Sequence, residues 1–136
     1  MATIGFTGTR AGMNQAQKIL ITTYLKEHRP DAVAHGDCIG ADKDFDDICA
    51  DMSILRYAFP GDIPSMRANT GAIQFQMPKP PLERNKDIVH YSDEMLACPK
   101  EMHEVLRSGT WATIRAARRA GKRVHIFYRD GTAKEV

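Results

Sequence analysis

The chain has 136 residues, 19 basic and 17 acidic side chains, 43% hydrophobic content and 26% charge, the proportions of one globular domain, residues 1–136, with a single real core. A formal net charge of +2 is too small for bulk electrostatic adhesion to nucleic acid or a membrane surface, so a small-molecule site is the first expectation. Three widely spaced cysteines, Cys38, Cys49 and Cys98, suit reduced thiols rather than a disulfide framework, and no run approaches membrane-spanning length; a cytoplasmic protein without membrane contact is expected.

Residues 3–6 read as a short strand that runs into Thr7-Gly8-Thr9-Arg10-Ala11-Gly12, a loop of glycines and hydroxyls. Asn14 followed by Gln17 is a capping-box pattern, and Ala16, Leu20, Ile21, Tyr24 and Leu25 form an apolar stripe at helical spacing up to Pro30. Residues 31–35 predict a second, buried strand, then the loop Gly36 to Asp42 and an acidic helix over about 42–51 with Phe45, Ile48, Cys49 and Met52 on its apolar face. A third strand, 54–59, stops at Pro60-Gly61. Residues 60–81 hold five of the seven prolines and predict an irregular excursion, a kind of loop that is usually functional or mobile.

A helix over 82–91, a fourth strand over 95–98, the turn Ser108-Gly109-Thr110, a helix over about 110–120 and a fifth strand over 123–128 complete the pattern. The polar last eight residues are expected to be loosely held. Five short strands alternating with helices predict an α/β fold: a Rossmann-like three-layer α/β/α sandwich around a mainly parallel five-stranded sheet.

Ligands of such sheets bind beyond the carboxyl ends of the strands, which here carry three loops rich in glycine and hydroxyls: Thr7 to Arg10, Gly36 to Asp42 (with Asp37 and Gly40), and Ser108 to Thr110. Glycine admits close backbone N–H approach, hydroxyls donate, and helix starts favour anions, so the three together point to an anionic ligand. Each loop alone is equally what a tight turn or helix cap requires. Neither G-x-G-x-x-G nor G-x-x-x-x-G-K-[ST] occurs, which disfavours dinucleotide redox chemistry and P-loop hydrolysis, and no cofactor is expected. His35 beside Asp37 and Cys38 has no second Cys or His at ligand spacing, so no metal site is expected either.

The ordered set Gly-Phe-Thr-Gly-Thr-Arg, His-Gly-Asp-Cys-Ile-Gly-Ala-Asp, Glu83-Arg84-Asn85-Lys86 and Ser-Gly-Thr-Trp-Ala-Thr resembles the SLOG superfamily over about residues 3–128. That group unites the cytokinin-activating phosphoribohydrolases with the Rossmann-like part of the DNA-processing protein A family. The resemblance implies a domain that binds a nucleotide or nucleotide-derived ligand, commonly as a homodimer. It places first-loop binding on Gly8, Thr9 and Arg10, the Gly-Ala-Asp element on Gly40, Ala41 and Asp42, and the phosphate loop on Ser108, Gly109 and Thr110, with Gly36, Asp37, Arg84 and Asn85 completing the expected ligand set.

The match departs where catalysis is concerned. The phosphoribohydrolase motif Pro-Gly-Gly-x-Gly-Thr-x-x-Glu puts Val105, Leu106 and Arg107 at its Pro-Gly-Gly and Thr113 at its glutamate. Breaking an N-glycosidic bond through an oxocarbenium-like state needs a carboxylate near the anomeric carbon, and threonine does not supply one. Arg84 matches the family's catalytic arginine, and Asp42, Asp37 or Asp93 would have to bring the carboxylate from elsewhere. Asp42 reads equally as an acceptor of ribose hydroxyls and as a plain helix cap.

Three functions follow. The first is binding of a phosphorylated nucleotide-like small molecule as a sensor, carrier or sequestering protein. The second is a nucleoside-monophosphate N-glycosidase using Arg84 and Asp42. The third is a single-stranded DNA-binding recombination mediator, suggested by Arg115, Arg118, Arg119 and Lys122 along one helix face; with few aromatics beside them, a solvated face is the plainer reading. In the long loop, Met66, Arg67, Phe75, Met77 and Lys79 are candidates to close over a base and its phosphate, or to pack on the domain. Trp111 is expected in the core or a dimer interface.

Overall fold

The computed structural model describes residues 2–136. Its elements are β1 (Thr3–Gly8), α1 (Gln15–His28), β2 (Ala32–His35), α2 (Ala41–Asp51), β3 (Leu55–Ala58), β4 (Ile73–Gln74), α3 (Pro81–Tyr91), β5 (Glu94–Cys98), α4 (Gly109–Arg119), β6 (Arg123–Phe127) and β7 (Ala133–Glu135). They build a Rossmann-like α/β fold on one sheet of order β4-β3-β2-β1-β5-β6-β7. All neighbours pair in parallel except β6 and β7.

The sheet has seven strands, not the five expected from the sequence. One addition lies inside the proline-rich excursion, where Tyr57 and Ala58 of β3 pair with Ile73 and Gln74. The other corrects the expectation of a loose tail: Ala133–Glu135 folds back antiparallel on β6, with the Tyr128 N–H donating to the Thr132 carbonyl at 2.8 Å across the Asp130-Gly131 turn. Asp-Gly is a strong hairpin signal.

Two apolar layers sandwich the sheet, and the period-two alternation of β5 shows how they form. Leu96 and Cys98 face α1 and α2 together with Phe6, Ile21, Leu25 and Phe45. Met95 and Ala97 face α3 and α4 with Ile88, Trp111, Ile114 and Val124. Phe6 and Phe45 stack with ring centroids 4.3 Å apart, and full burial of each such side chain contributes about 2 kcal/mol. The Asn14/Gln17 capping box forms as expected. Gln17 does more: its fully buried Nε2 donates to the Pro99 and Phe127 carbonyls, both at 2.9 Å, tying α1 to the strand ends.

Chain order reverses at β1, which lies between β2 and β5. The crevice beyond the carboxyl ends of β1 and β5 is therefore the place where a ligand site is expected in an open parallel sheet.

Candidate functional site

A cleft of about 570 Å³ opens at that crevice, within the usual size range of small-molecule sites. One wall is the loop after β1, Gly8 to Ala11, and the facing wall is the start of α4, Ser108 to Thr110, with Lys100 and Arg107 from the preceding loop. Gly36, Cys38 and Asp42 form the floor beside Arg84 and Asn85 of α3, and Ile63, Met66, Pro81 and Leu82 make an apolar lip. Of the residues expected at a ligand, Asp37, Gly40 and Ala41 fall outside this lining.

The start of α4 is open. The Ser108 hydroxyl accepts the Trp111 N–H at 3.2 Å, while the Gly109 and Thr110 amides have no intramolecular partner among the described residues. The Thr110 hydroxyl also has none, although the residue is 7% exposed. A Cβ added at Gly109 would meet nothing within 4 Å, so packing does not require glycine there. Arg10, Lys100 and Arg107 are exposed and form no ion pair among the described residues. Free amides at a helix start with three unneutralised cations make an anion-accepting wall.

The loop before α2 is closed by its own side chains. Asp42 does not cap α2, whose N-cap is Gly40 without a side-chain bond. Its Oδ2 instead accepts the Gly36 N–H at 3.0 Å and the Cys38 N–H at 3.2 Å, while Oδ1 makes no hydrogen bond among the described residues and keeps some solvent access. Burial drives the Asp42 pKa up, against the pull of the Arg84 charge and the two amides. A carboxyl poised in this way within a cleft is a candidate functional group.

Arg84, expected as a catalytic and ligand-binding arginine, is largely spent on the protein. Nη1 donates to the Gly36 and Phe59 carbonyls at 2.6 and 3.2 Å, Nε to the Pro81 carbonyl at 3.3 Å, and Nη2 reaches Cys38 Sγ at 3.4 Å. Those contacts occupy four of its five N–H donors. A Cβ on Gly36 would collide with the guanidinium and lie 3.0 Å from Asp42 Oδ2, so that glycine is what seats the two charged groups side by side. Cys38 is no activated nucleophile: burial pushes its thiol up to about 11.

Asp37 corrects another expectation. It is 1% exposed at φ +56°, and both oxygens are committed, Oδ2 to Arg67 Nε and Nη2 (3.0 and 2.8 Å) and Oδ1 to the N–H and hydroxyl of Thr70 (2.9 and 2.8 Å). It staples the 60–81 excursion to β2 rather than facing the cleft. Burial alone would raise its pKa, but these bonds outweigh it and hold the carboxyl below the usual range. Gly40 likewise serves the fold. At φ +91° it lets α2 start against the Arg10 backbone, which a Cβ would overlap, and the Ala41 N–H donates to the Thr9 carbonyl at 2.9 Å.

The remaining candidates divide in the same way. Thr113, at the family's glutamate position, is 2% exposed and donates its hydroxyl back to the Gly109 carbonyl at 2.8 Å. Asp93 accepts from the Thr3 N–H at the opposite end of the sheet. Buried His35 accepts the Asp37 N–H on Nδ1 and so carries its hydrogen on Nε2, 2.8 Å from Asp46 Oδ1. Of the long-loop candidates only Met66 lines the cleft: Arg67 binds Asp37, Lys79 pairs with Asp87, Phe75 stacks on Phe59 and Met77 is 77% exposed. Trp111 is buried and donates to Glu101 at 3.1 Å. Lys100 and Arg107, which line the cleft, were missed by sequence reading; the signal was a basic residue at each end of the loop between β5 and the Ser108-Gly109-Thr110 turn.

No protein-family model matches the sequence, and a search of curated proteins finds no relative. Solved structures do match in fold. TM1055, a structural-genomics target, superposes with a TM-score of 0.67 at 14% identity, over 91% of this chain and 72% of its own. The molybdenum cofactor binding protein of Rippkaea orientalis gives 0.72 at 14% identity, over 93% and 76%. DNA processing protein A of Streptococcus pneumoniae gives 0.71 at 16% identity, over 93% of this chain and 50% of its own length. The chain shares their Rossmann-like α/β fold. Identities this low carry the fold alone. No helix among the described residues is long and apolar enough to cross a membrane.

Proposed function

We propose that this SLOG-type domain binds a small phosphorylated, nucleotide-like ligand in the cleft, as a sensor, carrier or sequestering protein. The observation that carries the reading is the open start of α4, where two unpartnered amides and a glycine without packing constraint face the cleft beside Arg10, Lys100 and Arg107. The phosphate sits there, and the rest of the ligand extends toward Asp42, Asn85 and the apolar lip.

Calorimetric titration with nucleoside monophosphates and inorganic phosphate tests it. Saturable binding that weakens by about tenfold or more in Gly109→Val is expected, because the added side chain fills the space over the amides. Absence of binding across the whole panel overturns the proposal.

A hydrolytic reading rests on Asp42, whose Oδ1 has no partner among the described residues and which is the kind of carboxylate glycosidase chemistry requires. Chromatography of monophosphates incubated with the protein decides it: release of free base that is lost in Asp42→Ala favours turnover. The DNA-binding reading loses support, because two of the four residues of the basic face, Arg115 and Lys122, are engaged internally, as is Arg123 beside them. Arg115 holds Glu104 and the Val105 and Leu106 carbonyls, Lys122 holds the Ser92 carbonyl, and Arg123 reaches Glu94.

A further inference from the structure

Apart from the ligand cleft, the outer surfaces of α3 and α4 leave a groove of about 230 Å³ between them. Val89, Ala116 and Ala120 supply its apolar lining, and Lys86, His90 and Lys122 its basic lining. Ala116 and Ala120, four residues apart, share one face of α4, and a larger side chain at either would enter the space. Lys122 Nζ donates to the Ser92 carbonyl at 2.7 Å, so its aliphatic stem rather than its charge borders the groove.

The charge around the groove is of one sign. Between Val105 and Tyr128 the chain has six Arg and Lys side chains and no Asp or Glu. Lys86, Arg118 and Arg119 are exposed and form no ion pair among the described residues. α3 contributes two acids, Glu83 and Asp87, and the second is committed to Lys79 and Gln76. We infer that this groove docks an acidic segment of a partner protein, with one apolar side chain entering between α3 and α4 and flanking carboxylates meeting Lys86, His90 and Arg119. Arg119 lies three residues after Ala116, on the same helix face.

Charge and lining together select the occupant. Unneutralised cations around an apolar slot favour carboxylates beside an apolar anchor, the pattern of helix-in-groove recognition. A second copy presenting the same face would set like charges against each other, which costs affinity. A nucleic acid brings negative charge but no aliphatic side chain for the slot, and no aromatic residue lines it for bases to stack on. None of the six lining residues is shared with the ligand cleft, so docking stands apart from the phosphate reading.

The test follows the amide resonances of the isotope-labelled chain by NMR during titration with synthetic peptides: a leucine flanked on each side by glutamates, the same peptide with alanine in place of leucine, and the same with lysines in place of the glutamates. Oligothymidylate of matched charge is titrated alongside. Saturable shifts are expected at Val89, Ala116 and Ala120 and not at Gly109. The acidic leucine peptide should bind about fivefold or more tightly than the alanine peptide, the scale of partly burying one aliphatic side chain, and the lysine peptide should not bind. Lys86→Glu with Arg119→Glu should weaken the leucine peptide by about tenfold or more. Ala116→Leu, which fills the groove and leaves every charge in place, should bring the leucine peptide down to the alanine level, and it decides the matter should the charge-reversed chain not fold. Several results overturn the inference: equal affinity of the leucine and alanine peptides, binding of the lysine peptide, or no shift at the groove at millimolar peptide. Oligothymidylate binding there as tightly as the leucine peptide also overturns it, as does self-association in sedimentation that the charge reversal abolishes.

Discussion

Two helices begin on the same cleft, and their starts are built for opposite purposes. The segment leading into α2 is locked: Gly40 is in a left-handed conformation against the Arg10 backbone, Asp42 fills the preceding amides, and Arg84 crosses over to the Gly36 and Phe59 carbonyls. The start of α4 has spare amides, a spare hydroxyl and a glycine with empty space above it. A glycine-rich loop therefore does not announce a ligand by itself. What separates the two is whether the polar groups have found partners within the chain.

The contrast can be broken by substitution, and the largest effect is expected on the locked side. Arg84→Ala leaves buried carbonyls without donors and should cost about 3 kcal/mol in urea unfolding, with Gly40→Ala costing roughly 2 kcal/mol through strain. Gly109→Ala should change stability by less than about 0.5 kcal/mol, and comparable losses at positions 40 and 109 would erase the distinction. On the open side, Gly109→Val should retain the fold and weaken phosphate-monoester binding by about tenfold or more, read by calorimetry.

The two buried aspartates sharpen the comparison through pH. Asp37 has a depressed carboxyl, so its stabilising contribution is present above the ordinary carboxylate range near pH 4 and disappears as the pH falls through its lowered folded value. Asp42 has a raised one, so its contribution is full in acid and is lost as the pH rises through the folded value. At pH 7, Asp37→Asn should therefore destabilise by about 1–2 kcal/mol and speed hydrogen exchange at Thr70, while Asp42→Asn should be neutral or stabilising. Acid unfolding curves of the two variants shifting in the same direction would contradict this assignment. The smallest effect belongs to the solvated face of α4: Arg118→Ala with Arg119→Ala should leave ligand affinity within about twofold.

Much of this was legible in the sequence, for identifiable reasons. Alternating strands and helices, the Asn14/Gln17 box and the loops at the strand ends are local patterns, and local patterns survive folding. Asp37 was misread because a carboxylate in a glycine loop looks the same whether its partner is a ligand or an arginine 30 residues away. The structural half of the role of Arg84 was hidden for the mirror-image reason, its acceptors being backbone carbonyls that no composition reveals. The last strand was overlooked because the polar character of the tail outweighed the Asp130-Gly131 hairpin signal, and β4 was hidden among prolines.

Those two overlooked strands close the margins of the sheet. An uncovered sheet margin is a template for pairing with another chain. On one side the final strand is short and carries Lys134 and Glu135, so its outer row of amides and carbonyls is flanked by charge. On the other, Ile73 and Phe75 are exposed, yet the strand is two residues long and the chain then turns through Pro78, Pro80 and Pro81. Proline offers no N–H to a neighbouring strand. Charge thus flanks one border of the sheet, while the other is short and followed by residues that lack donors.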